Sequence, residues 1–120
     1  MALERGKLSN VVRVAAGTTV GIATCSSSKK VYVKSVIAHA SGIGVATGRA
    51  AVYFVANGAS VSADNRIFDA DIENGETIMF EPSYPLVLST SGDALHVGTI
   101  ALVGAAATHI NFIVTGDKES

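Results

Sequence analysis

The chain has 120 residues, of which 48% are hydrophobic, 6% aromatic and 16% charged, with a formal net charge of −1 at pH 7. A chain of this length forms one domain that buries about two thirds of its unfolded surface, and its single cysteine, Cys25, excludes a fold held by intrachain disulfides. The low charged fraction favours an oligomer or assembly subunit over an ordinary monomer.

The first ten residues are polar and of mixed charge, which predicts an N-terminal arm at residues 1–10, flexible in isolation and able to order on a partner. Residues 11–120 then form a single β-sandwich domain. The N-terminus has no apolar core of a secretory signal, and no apolar run approaches about 18 residues. The expectation is an intracellular origin without a membrane-spanning segment.

Short apolar and β-branched segments separated by Gly, Asn, Ser and Asp follow one another along nearly the whole chain. This rhythm predicts an all-β fold, an antiparallel β-sandwich of jelly-roll type with about eight or nine strands. The predicted strands are residues 11–14, 20–24, 31–39, 49–56, 66–72, 77–81, 86–88, 94–102 and 110–115. The connections carry turn signals such as Asn57-Gly58 and Asn74-Gly75, because Gly and Asn tolerate positive φ.

Alternation within two strands separates a wet face from a core face. In the strand that begins at Val31, the outward set is Lys30, Tyr32 and Lys34, and the core set is Val31, Val33 and Ile37. In the strand at residues 66–72, Asp69, Asp71 and Glu73 share the outer face. Both strands are therefore predicted to be charged outside and apolar inside.

Charge is segregated along the chain, with seven of nine basic residues before residue 50 and seven acids between residues 64 and 93. The opposite charges can pair across neighbouring strands within one subunit, or through head-to-tail contacts between subunits. The basic residues are scattered without a nucleic-acid motif, so no nucleic-acid partner is expected. The candidate protein-interface residues are Lys30, Lys34, Arg49, Asp69, Asp71, Glu73 and Glu76.

Two short motifs imitate ligand sites. Gly42-x-Gly44-x-x-x-Gly48 has the wrong spacing for a dinucleotide loop and no βαβ unit around it, so it predicts a flexible hairpin tip. The segment Asp69-x-Asp71-x-Glu73-Asn74-Gly75 resembles a calcium loop, but its Gly falls one position late and its twelfth residue is Phe80. A solvated or ion-paired face is the stronger interpretation, and no metal or cofactor is expected.

The remaining reactive groups have no partner spacing. His39, His96 and His109 are far apart, so a metal site would need the fold or a trimer axis to gather them, and partly buried strand residues are the stronger interpretation. No signature residues flank Cys25, which favours a buried thiol. No nucleophile elbow, phosphate loop or paired acidic motif appears, so the sequence predicts that the protein is not an enzyme.

The chain from about residue 30 to 116 resembles the small β-sandwich structural proteins of tailed bacteriophages, which include capsid decoration (cement) proteins and short neck or tail proteins. The resemblance is carried by residues 31–37, the Ala/Val strand 50–56, and the motifs IENGETI at 72–78, PLVL at 85–88, GDAL at 92–95 and NFIVTG at 111–116. These motifs encode turns and strand starts. His96 and the Ala-rich segment 101–107 depart from the pattern and leave the subfamily open.

The resemblance implies a virion subunit assembled in the host cytoplasm. The expected function is a capsid decoration subunit, a homotrimer that binds the outer surface of the major capsid protein and stabilises the shell, without membrane or nucleic acid. A neck or tail ring subunit is one alternative. A carbohydrate- or receptor-binding module is another, although the chain offers only Tyr32, Tyr53 and Tyr84 and no Trp as platforms.

Overall fold

The computed structural model describes residues 3–27, 29–40, 47–101 and 109–119. These residues form ten β-strands and a short 3₁₀ turn at Ala63–Asn65. The strands are β1 Leu3–Lys7, β2 Val12–Ala15, β3 Thr18–Thr24, β4 Val31–Ala40, β5 Thr47–Val55, β6 Arg66–Glu73, β7 Thr77–Phe80, β8 Leu86–Leu88, β9 Ala94–Ala101 and β10 His109–Glu119.

The strands form two antiparallel sheets. Sheet A has β10 and β4 at its centre; β1 and β2 pair one after the other along β10, and β7 and β8 do the same along β4. Sheet B has the order β3-β9-β5-β6. When β1/β2 and β7/β8 are each counted as one split strand, the order of eight strands is that of a jelly roll. The predicted antiparallel β-sandwich is confirmed.

The core lies between the sheets and is built by alternate residues of each strand. Along β10, residues 110, 112 and 114 are buried while residues 109, 111, 113 and 115 are partly exposed. The largest fully buried side chains are Phe112, Ile72, Leu88, Leu95 and Ile110. Between the two sheets, the rings of Phe68 on β6 and Phe80 on β7 stack with centroids 4.9 Å apart. Apolar packing of this kind is the main source of stability in such a fold.

A β-bulge in the central pair of sheet A changes which residues of β4 face outwards. Ser35 pairs with Thr115, but the next residue of β10, Gly116, pairs two positions earlier on β4. Lys34 is therefore the extra residue, and the alternation reverses after it. Ile37 lies half-buried on the outer face of sheet A. The sequence-based assignment of Ile37 to the core was wrong for this reason.

All nine predicted strands are present, with ends that differ by only a few residues. Residues 3–7 of the predicted N-terminal arm form β1, which pairs with the last residues of β10. The predicted hairpin tip at Gly42 and Gly44 lies outside the described residues, as do residues 102–107 of the Ala-rich segment. Within the described part of the chain, no helix has the length and apolarity needed to cross a membrane.

Candidate interaction surface

Three of the predicted interface residues form one ion-pair cluster on the outer face of sheet B. Register places Arg49 of β5 opposite Asp71 of β6. Its guanidinium binds Asp71 through Nη2 at 2.9 Å and Asp69 through Nη1 at 3.1 Å. The second oxygen of Asp69 lies 3.5 Å from Nη1 of Arg66. The segregated charges are thus matched across strands within one subunit at this place.

The two acids that follow this cluster lie in the turn from β6 to β7. The backbone N–H of Glu73 donates to Oε1 of Glu76 at 3.0 Å, and both side chains are exposed. Gly75 in this turn has a φ of +84°, which explains the Asn-Gly signal in the sequence. The turn is held against the end of β4 by the N–H of Gly75, which donates to the carbonyl of Ala40 at 2.7 Å.

The two predicted basic residues of sheet A lie elsewhere. Lys34 is on the outer face and its Nζ is 2.9 Å from Oδ2 of Asp117. Lys30 precedes β4, at the end of the sandwich opposite Glu73, and its backbone N–H donates to Oε1 of Glu119 at 2.7 Å. The seven predicted residues therefore form no single patch, and their role at an interface stays a prediction.

The calcium-like motif has another use in the fold. Asp69 and Asp71 lie on a strand and direct their carboxylates to Arg49. In the residues that the structure describes, no group of three or more His, Cys, Asp or Glu side chains is arranged to hold a metal ion.

The three histidines occupy both sheets. His39 and His109 lie on the outer face of sheet A, and His109 is two residues from Asn111, which pairs with His39. Nδ1 of His39 hydrogen-bonds Oγ1 of Thr77 at 2.7 Å. His96 lies on the outer face of sheet B.

Cys25 is fully buried, and its Sγ donates to the carbonyl of Lys29 at 3.3 Å. Burial raises the pKa of the Cys25 thiol, and the negative charges of Asp93 and Glu119 raise it further. Because the thiolate is the nucleophilic form, a buried thiol with a raised pKa is inert. The chemistry of this residue fits packing and not catalysis.

A row of residues crosses the outer face of sheet B, and other parts of the chain cover it in part. Gly21, His96, Tyr53 and Arg66 stand opposite one another on β3, β9, β5 and β6. The guanidinium carbon of Arg66 lies 5.3 Å from the centre of the Tyr53 ring. Tyr53 is buried in a small apolar cluster against which Val61, from the connection after β5, packs. This face is therefore partly closed by the chain itself.

The outer face of sheet A carries an apolar row that sequence reasoning missed. Register aligns Ile113 of β10, Ile37 of β4 and Met79 of β7, and Val11 continues the row because the next residue, Val12, pairs with Phe112. Val11 is 64% exposed and Met79 54% exposed, while the two isoleucines between them are partly exposed. These four residues are called the apolar row below.

More apolar surface follows along the β7–β8 side of sheet A. Val87 of β8 is exposed beside Tyr32 of β4, and Tyr84 in the connection between β7 and β8 is 85% exposed. Tyr84 is the most exposed of the three tyrosines, since Tyr53 is buried. The outward position of Ile37 in this surface results from the bulge at Lys34. That bulge depends on the pairing of β4 with β10 and cannot be read from β4 alone.

No protein-family model matches the chain, and no curated protein matches its sequence. Several solved structures are similar over 98% of the chain. A pilus protein of Bacillus endospore appendages, which form disulfide-linked pili, is 16% identical with a TM-score of 0.48, and 90% of that chain is covered. The Gx strain of infectious bursal disease virus gives 11% identity and a TM-score of 0.48, with 32% of that chain covered.

A nora virus structure gives 9% identity and a TM-score of 0.44, with 60% of that chain covered. The chain thus spans about a third of the bursal disease virus chain and under two thirds of the nora virus chain. At TM-scores below 0.5, these likenesses carry no function over to this protein.

Proposed function

We propose that the protein is a non-catalytic structural subunit of a virion, which acts by packing against other protein chains. The observation that carries this proposal is the apolar row on sheet A, in which Val11 and Met79 are more than half exposed. Exposed apolar residues that stand together on one sheet face, and not singly, suit a surface that another chain covers.

The finer proposal is a capsid decoration subunit with the major capsid protein as its partner, assembled in the host cytoplasm. Its support is the resemblance of residues 30–116 to small phage structural proteins, together with the exposed apolar surface described above. The trimer expected from that resemblance stays a prediction.

Such a subunit would stabilise a shell by mass action. Apolar surface that is buried only in the assembled shell adds a binding free energy that rupture of the shell must overcome. No bond is made or broken in this process, so the function needs no catalytic group.

The test compares shells of the same capsid protein with and without this protein. Decorated shells are expected to rupture at a higher temperature, and electron microscopy is expected to place the added density on the outer surface. Equal rupture temperatures together with absence of the density from the shell would overturn the decoration proposal.

The opposite charges at the two ends of the sandwich support a second candidate, a neck or tail ring subunit. Lys29 and Lys30 lie before the first residue of β4, whereas Glu73 and Glu76 lie beside its last residue. Head-to-tail contacts between such ends close into rings. Density in a ring at the portal or tail, and not on the shell surface, would favour this candidate.

A further inference from the structure

The apolar row has a symmetry that points to its occupant. β10 and β4 form the central pair of sheet A, with β2 and β7 outside them. Along the row the order is Val11, Ile113, Ile37, Met79, so one large aliphatic residue stands on each central strand and one exposed apolar residue on each flank. The order of large and exposed apolar residues is therefore nearly the same from β2 to β7 as from β7 to β2.

We propose that a second copy of this chain covers the outer face of sheet A, related by a two-fold axis that runs parallel to the strands between β10 and β4. The inference rests on the proposed function, in which this face is packed against another chain. Such an axis places Ile113 against Ile37 of the second copy, and Val11 against Met79 of the second copy. Each contact occurs twice, as in every two-fold interface.

Charge complementarity at one end of the face supports the same axis. Lys34 of β4 and Asp117 of β10 form an ion pair across the line of the proposed axis. In the two-fold pair each Lys34 also meets Asp117 of the second copy, so two ion pairs become a network of four alternating charges. An unrelated apolar face would not provide this match.

The geometry agrees with ordinary packing of sheets. Two twisted sheets that pack face to face have strand directions within about 30° of each other, and a spacing of about 10 Å. The aliphatic side chains of the row have the size that fills such a gap. Arg13, which is long and exposed on the β2 flank, remains at the rim, where charged groups of interfaces are normally found.

The test is the mass of the purified full chain in solution, measured by sedimentation over a range of concentrations. Wild-type protein is expected to form dimers. Met79→Lys is expected to raise the dimer dissociation constant tenfold or more, because it buries two unpaired charges. The matched control is Ile67→Lys, since Ile67 is 42% exposed on the outer face of sheet B, outside the proposed interface.

Charge reversal identifies the axis independently of the apolar row. Lys34→Asp is expected to weaken the dimer, and addition of Asp117→Lys to the same chain is expected to restore it, because the charges then alternate again across the axis. Arg49→Asp makes the same change of charge on the outer face of sheet B and should leave the dimer intact. Thermal melts of each variant show whether the fold is retained, and the Lys34 series keeps the proposal testable if Met79→Lys does not fold.

A monomer at all concentrations, a trimer without dimers, or equal effects of Met79→Lys and Ile67→Lys would overturn the proposal. Binding to shells separates this result from failure of the proposed function. A monomeric wild-type protein that binds shells through sheet A, and loses binding with Met79→Lys, would retain the structural function with the capsid protein as occupant. A dimer that binds no shell would retain the pairing and reject the decoration function.

Discussion

The backbone carbonyl of Tyr32 lies against the α-carbon of Gly116, where a β-carbon on residue 116 would overlap the carbonyl oxygen. This contact occurs where the register of β10 against β4 shifts. A close approach of two backbones is possible here because glycine has no side chain. Gly116 therefore permits the bulge that turns Ile37 outwards and places it in the apolar row.

Gly116→Ala is expected to lower the free energy of unfolding by about 3 kcal/mol, because backbone atoms of a central strand pair have to move. Gly21→Ala is the matched control in a strand of sheet B. Its β-carbon would lie 3.3 Å from the ring of His96, a side chain that can shift. Urea unfolding of both variants measures the difference, and equal losses would contradict the role given to the Tyr32 carbonyl.

The ion-pair cluster on sheet B is expected to stabilise the isolated subunit. Arg49→Ala should lower the free energy of unfolding by about 0.5–1 kcal/mol, the range of partly exposed pairs, and the loss should shrink in high salt. A double-mutant cycle with Asp71→Ala isolates the pair, since the two side chains share two contacts. A coupling energy of zero at low salt would contradict a stabilising role for this ion pair.

The sequence predicts the strands of this fold well because each strand end is marked locally. Gly75, with its positive φ, closes the turn between β6 and β7. The acids on β6 alternate with partly buried Phe68 and buried Ile72, as expected for a strand with one solvent-exposed face. These signals act over two to eight residues. Turn residues and alternation can therefore be recognised in the sequence without knowing which strands pair.

The candidate surface could not be predicted in the same way. The outward position of Ile37 depends on Gly116, which is far along the chain, and the partners of Arg49 depend on the register of β5 with β6. Segregation of charge indicates that basic and acidic strands meet and favours contacts within one subunit over contacts between subunits, but it does not say which residues pair. Pairing between distant strands is the missing information.

Asp93 links the turn after β8 to the connection after β5. Its carboxylate accepts hydrogen bonds from the backbone N–H groups of Asn57 and Thr90, each at 3.0 Å. These bonds, that from Asn57 first, hold the pKa of Asp93 below its usual value. The stability that they contribute is complete above the ordinary carboxyl pKa, about 3.9, and is lost as the pH falls through the lowered pKa.

Asp93→Asn is therefore expected to lower the melting temperature at neutral pH and to flatten the loss of stability below about pH 4. Asn57→Ala keeps the backbone donor and should preserve the acid dependence. Thermal melts from neutral to acidic pH compare the three proteins. If Asp93→Asn loses stability in acid as steeply as the wild-type protein, other carboxylates govern acid unfolding.

His96 gives a second pH dependence in a milder range. Desolvation lowers the pKa of its imidazole, and the buried Nδ1 has no hydrogen-bond partner among the described residues. The folded protein thus favours neutral His96, so the unfolded chain binds the proton more readily. Stability is complete above the ordinary histidine pKa, about 6.5, and falls as the pH drops towards the lowered value.

His96→Gln removes this titration and should flatten the stability profile just below the ordinary histidine pKa, about 6.5, with little change in slope at pH 8. Arg66 lies at the other end of the same row, on the far side of Tyr53, so a charged imidazole would add a second cation to a covered face. Urea unfolding at closely spaced pH values tests this expectation. A wild-type slope retained by His96→Gln would contradict the role given to His96.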